Sequence, residues 1–129
     1  MADTEIRIDA TDRSPFVLFD PAAGRLEMRG ESYPEDAAGF FGPLLGQLEA
    51  YLGGGGRLTA ELWMDYFNSS SAKALMNMFQ LFEDRSGDGA AVTVNWYFHE
   101  DDDTMREFGE DFAGDFAHAT FNMCPREAS

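Results

Sequence analysis

Residues 57–67 read Arg-Leu-Thr-Ala-Glu-Leu-Trp-Met-Asp-Tyr-Phe, and both alternating sets carry large apolar side chains. Leu58, Ala60, Leu62, Met64 and Tyr66 form one set; Trp63 and Phe67 fall in the other with Thr59, Glu61 and Asp65. A strand that is apolar on both sides is expected at the centre of a sheet covered on both faces. It runs directly into Asn68-Ser69-Ser70-Ser71 and then into Ala72, Leu75, Met76, Phe79 and Phe82, spaced three and four apart. That stripe predicts a helix, closed by Ser86-Gly87-Asp88-Gly89. Its core face is expected to hold Met76 and Phe79, with Met78 exposed as an adaptable contact.

The rest of the chain repeats this alternation. Ile6 with Ile8, the run 16–19 and Leu26 with Met28 read as three short strands, bounded by Ser14-Pro15, Asp20-Pro21 and Ala22-Ala23-Gly24. Ser32-Tyr33-Pro34-Glu35 has the Ser-x-x-Glu spacing of a capping box, with Pro in the first turn. Phe40, Phe41, Leu44, Leu45, Leu48 and Leu52 follow at helical spacing, which predicts a helix over about 34–52 with a kink at Pro43. The glycines 53–56 form a turn inside one domain. Residues 91–98 read as a strand; Met105, Phe108, Phe112 and Phe116 make a third helical stripe, and 119–123 a last strand. The fold class expected is α/β: a mixed sheet of five to six strands with three helices packed on it. One domain spans 1–129, with a core over about 5–116 and a C-terminal strand or tail at 117–129.

Composition narrows the partners. Of 129 residues, 24 are Asp or Glu and nine are Lys or Arg, a formal net charge of −15. Neutralising nucleic-acid phosphates needs clustered cations, and so does docking on anionic lipid, so neither partner is expected. The 12 Phe and 44% hydrophobic content supply one real core. The single cysteine, Cys124, allows neither an intramolecular disulfide nor a cysteine zinc site, and nothing local activates its thiol. The N-terminus lacks the basic and apolar regions of a signal peptide, and no apolar run approaches a membrane span. A soluble cytoplasmic protein is expected.

Few residues could carry chemistry. His99-Glu100 opens like a zinc-protease helix, but Asp103 stands where the second histidine belongs. Asp84, Ser86, Asp88 and Gly89 resemble the start of a calcium loop, yet the twelfth position is Asn95 inside a predicted strand. No nucleophile–base constellation is present, so no catalytic residue, metal site or cofactor is assigned. Residues 100–115 hold eight acidic residues and one basic residue, Arg106. They form a solvated face or a docking surface for a basic partner.

The serine cluster 69–71 stands out. One serine satisfies the free N–H groups of a helix start, and three in a row exceed that need. A phosphate placed there would meet the positive end of the helix dipole and free backbone donors. Gly30-Glu31-Ser32-Tyr33-Pro34-Glu35 with Phe40-Phe41, and Tyr66-Phe67-Asn68-Ser69-Ser70-Ser71-Ala72-Lys73, are together similar to the two signatures of the SiaC-type regulatory phosphoproteins. Ser14-Pro15, Phe19-Asp20, Trp96-Tyr97, Asp102 and Gly109-Glu110-Asp111-Phe112 fit the remainder, so the resemblance covers about residues 5–116.

The resemblance implies a STAS-like, non-catalytic partner switch without a cofactor of its own. A Ser/Thr kinase with a histidine-kinase-like ATPase fold phosphorylates one hydroxyl, and a PP2C-type phosphatase removes the phosphate. The unphosphorylated form binds and activates a diguanylate cyclase, which raises cyclic di-GMP and promotes aggregation or biofilm. The family's acceptor is a Thr after the Asn of the second signature, here Ser69, with Ser70 and Ser71 as equivalent neighbours. Asn68 and Lys73 belong to the phosphosite loop, and Glu31, Ser32, Tyr33, Pro34 and Glu35 are expected to face a partner. The residue after Glu35 is usually Asn in the family, and here it is Asp36. On the residues alone two other readings stay open: an acidic assembly domain with no switch, and a small enzyme using carboxylates as acid and base.

Overall fold

The computed structural model describes residues 5–126, so the N-terminal segment read above as lacking a signal falls, at 1–4, outside the described residues, as does 127–129. Three strands open the chain: β1 (Ile6–Ile8), β2 (Phe16–Asp20) and β3 (Arg25–Ser32). Helices and strands then alternate as α1 (Ala37–Gly53), β4 (Arg57–Phe67), α2 (Ser69–Gly87), β5 (Ala91–His99), α3 (Asp103–Ala113) and β6 (Thr120–Arg126). The sheet has six strands in sequential order. β1, β2 and β3 pair antiparallel, and β3 to β6 pair parallel. The expected element order and class therefore stand, and the C-terminal segment forms a full edge strand paired along β5.

The expectation of a sheet covered on both faces is corrected. On β4, Leu58, Ala60, Leu62 and Met64 are buried, while Thr59, Glu61 and Trp63 are only half-buried. β5 repeats the pattern, with Val92, Val94, Trp96 and Phe98 buried and Thr93, Asn95, Tyr97 and His99 half-buried. The reason is topological. Parallel connections are right-handed, and three successive ones stepping the same way along the sheet place α1, α2 and α3 on one side. One core forms there from Phe41, Leu44 and Leu48 of α1, Leu75, Phe79 and Phe82 of α2, Phe112 of α3 and the inward strand residues.

Three local expectations are also corrected. The alternation puts Tyr66 in the row of Met64, but a register shift opposite Gly30 and Glu31 inserts Asp65 as an extra residue. Beyond it the alternation changes phase: Tyr66 is 47% exposed and Phe67 is 5% exposed. Helix α1 does not begin at Ser32 and Pro34; strand pairing continues to Ser32 opposite Phe67, and Asp36 is the N-cap, accepting from the Gly39 N–H at 3.0 Å. It then runs through Pro43 to Gly53. On α2, Met78 is fully buried and Met76 is 54% exposed, the reverse of the reading above. A three–four spacing is shared by two adjacent stripes, and the one containing Ala74, Leu75, Met78 and Phe82 faces the sheet.

Candidate functional site

The C-terminal ends of β3 and β4 meet the start of α2 at the top of the sheet. Two backbone-level ties fix this corner. The Asn68 N–H donates to the Ser32 carbonyl at 3.0 Å, and the Asn68 side-chain oxygen accepts from the Ser71 N–H at 2.9 Å. One asparagine thus caps α2 and anchors it to the end of β3. Beneath it the hydroxyls of Ser32 and Ser71, both fully buried, bond each other at 2.8 Å.

The three serines therefore differ. Ser71 has an occupied hydroxyl and no access to solvent, while Ser69 and Ser70 are exposed in the first turn of a 19-residue helix. Among the described residues, neither the Ser69 nor the Ser70 N–H has an acceptor, as first-turn amides have no partner within their own helix. Ser70 lines a groove of about 420 Å³ together with Glu35, Asp36 and Lys73, whereas Ser69 stands outside it. Lys73 is exposed one turn on from Ser69.

The first signature closes over the same corner. Glu31 and Glu35 are exposed, and Tyr33 and Pro34 are half-buried. Ser32, expected to face a partner, instead lies inside with Ser71 and presents no surface. The Tyr33 ring meets Tyr66 edge to face, with centroids 5.9 Å apart. The Tyr33 N–H donates to the Arg13 carbonyl at 2.6 Å, and the Arg13 guanidinium pairs with Glu35 at 2.7 Å. Sequence reasoning missed Arg13, which lies 22 residues from Glu35 and carries no local signal. Tyr66 carries no signal of its own in the sequence either, because the bulge that turns it outward is not visible in the alternation.

The other features settle into structural roles. Asp102 caps α3 through the Met105 N–H at 3.1 Å, and Arg106 pairs with Asp103 at 3.1 Å. Asp84 accepts from Gln80 and Asp88 lies 3.7 Å from Arg85, an ordinary helix end. Among the described residues no group of His, Cys, Asp and Glu has the arrangement of a metal site. Burial pushes the Cys124 thiol pKa up, which disfavours the thiolate. No helix of the described residues is long and apolar enough to cross a membrane.

A family model described as SiaC family regulatory phosphoprotein matches residues 8–126. The chain belongs to the SiaC family. An uncharacterized protein of Pseudomonas aeruginosa (strain UCBPP-PA14) is 34% identical over 113 residues, 87% of this chain and 90% of that protein. Among solved structures, apo-SiaC from Pseudomonas aeruginosa is 32% identical, with a TM-score of 0.84 over 97% of this chain and 99% of that one. The crystal structure of the diguanylate cyclase SiaD in complex with its activator SiaC from Pseudomonas aeruginosa gives a TM-score of 0.89 at 31% identity, over 94% and 99% of the two chains. The six-stranded sheet with three helices on one side is thus the SiaC architecture.

Proposed function

We propose that this SiaC-family chain is a switch set by phosphorylation of Ser69, and that its bare form binds and activates a diguanylate cyclase. The observation that carries the reading is the corner itself: an exposed hydroxyl at a helix N-terminus with free amides, three residues from the exposed Tyr66 of an aromatic pair. The family description as a regulatory phosphoprotein supports the switch, and the SiaC–SiaD complex supports the class of effector. A Ser/Thr kinase transfers the terminal phosphoryl group of ATP to Ser69 Oγ, releasing ADP and a proton. A PP2C-type phosphatase returns the hydroxyl by hydrolysis. The activated cyclase raises cyclic di-GMP and so promotes aggregation or biofilm.

Charge explains both the address and the effect. A phosphate on Ser70 would stand in the groove that Glu35, Asp36 and Lys73 also line, whereas Ser69 lies outside that groove. At Ser69 the phosphate meets free N–H groups and reaches toward Lys73, so the fold accepts it. It adds about two negative charges beside Tyr33 and Tyr66, which an apolar or acidic partner surface cannot accommodate. Glu31, Pro34 and Glu35 complete the contact surface; Ser32 supports it from below.

Phosphosite mapping by mass spectrometry, on protein from growing and stressed cultures of the native host, tests this. A single phosphate on Ser69 with changing occupancy is expected, absent in Ser69→Ala, whose cyclase binding becomes constitutive. Unchanged phosphate yield in Ser69→Ala would move the address. No phosphate in any condition, with the kinase present, leaves the serines as a helix cap and the chain as an unswitched assembly domain.

A further inference from the structure

The sheet face opposite the helices is uncovered among the described residues, and its chemistry differs from the rest of the molecule. Registered neighbours form a row across four strands: Phe16 of β2, Arg29 of β3, Trp63 of β4 and Tyr97 of β5. Trp63 stacks on Tyr97 with centroids 5.8 Å apart and planes 10° from parallel. Guanidinium groups lie over the end rings, Arg29 at 4.7 Å from the Phe16 centroid and Arg126 at 4.7 Å from that of Tyr97. Grooves of about 290 and 480 Å³ flank Trp63.

Charge is partitioned as well. Arg7, Arg25, Arg29, Arg57 and Arg126 belong to this face by contact or alternation, five of the nine Lys and Arg residues in the chain. They face six carboxylates, Asp20, Glu27, Glu31, Glu61 and Asp65 by alternation and Asp9 by its contact with Arg7, so the face carries a formal −1 while the remainder carries −14. Two such molecules repel each other through their helical sides, and only the open sheet faces approach without that repulsion. A face of near-zero net charge with both signs interspersed is complementary to itself, as a two-fold interface requires. It selects poorly for a strongly acidic or basic partner.

We propose that the open sheet face is a self-association surface on which a second copy of this chain docks through a two-fold axis. Trp63 and Tyr97 form its centre, and arginines meet carboxylates around them, the aromatic-and-Arg composition of interface hot spots. Strand spacing and length give the face roughly 500 Å² per copy, roughly 1,000 Å² for the pair, the lower limit of specific interfaces. The dimer is therefore weak and concentration-dependent. Both serine corners stay free in it, so one dimer offers two switch sites to a two-fold partner. The proposal stands independently of the reading of Ser69.

Sedimentation velocity of the full chain from about 1 μM to about 1 mM tests it across the range of weak affinities. The weight-average mass is expected to rise from monomer to dimer with concentration. Trp63→Ser and Arg29→Glu, each shown folded by circular dichroism, are expected to weaken the dimer about tenfold or more. Lys73→Glu, on the helical side, should leave the dimer as it is. A monomer throughout the range overturns the proposal, and so does a dimer of unchanged affinity in both face variants. A monomer whose Trp63→Ser variant loses cyclase binding overturns it too, by assigning the face to another protein.

Discussion

Removing the Ser71 hydroxyl strands its partner. In Ser71→Ala the Ser32 oxygen remains buried with nothing to bond, which costs about 1–3 kcal/mol. In Ser32→Ala/Ser71→Ala both polar atoms are gone, so the double variant should be less destabilised than the sum of the singles; urea titrations of the four proteins check this. Glu83 makes the comparable case for charge. Burial alone would raise its carboxyl, but N–H donors from Ala119, His118 and Ala117 and the His118 ring hold it down at about 2. A carboxyl depressed on folding stabilises the protein above its ordinary value of 4.5 and loses that contribution as pH falls toward about 2. Glu83→Gln should cost about 1–3 kcal/mol at neutral pH, and its stability should converge on that of the parent as the medium is acidified through that window. Denaturant midpoints as a function of pH give the comparison.

Elements here are placed by close approach as much as by propensity. Helix α3 lies against β5 and β6 because residue 109 has no side chain: a Cβ there would stand 2.6 Å from the Trp96 ring and 2.8 Å from Met123. The same contact lets the Trp96 indole N–H donate to the Met105 carbonyl at 3.0 Å. Gly109→Ala should therefore be destabilising despite alanine's better helix propensity, by about 1–3 kcal/mol from overpacking. Thermal melts of this variant against Gly46→Ala, whose Cβ meets nothing, separate packing from propensity. The helices themselves were legible in three–four spacing, and their boundaries less so. Ser32 and Asp36 both suit a cap, and the choice fell to Asp36 because β3 had already claimed Ser32 for pairing with β4.

Across the whole molecule the controlling quantity is the net charge of −15, nearly all of it gathered away from the open sheet face. Self-repulsion among those carboxylates opposes the compact state and is screened over a Debye length of about 10 Å at 0.1 M salt. The midpoint of thermal unfolding should rise between low salt and about 0.1 M, and a scan at several NaCl concentrations measures it. A midpoint that falls would mean that the pairs Arg85–Glu49 and Arg13–Glu35, at 2.7 Å each, outweigh the repulsion.

By itself the sequence determined the element order, the single mixed sheet, the acidic surface and the two signatures that mark the corner where β3, β4 and α2 meet. Those are properties of neighbours along the chain, where periodicity and short motifs operate. Only the tertiary structure decided which face of the sheet is covered, because that follows from the hand of three successive crossovers. It alone separated Ser71 from Ser69 and Ser70, since the partner that buries Ser71 is 39 residues away. It alone turned Tyr66 outward, through one extra residue opposite a strand that the local alternation cannot see.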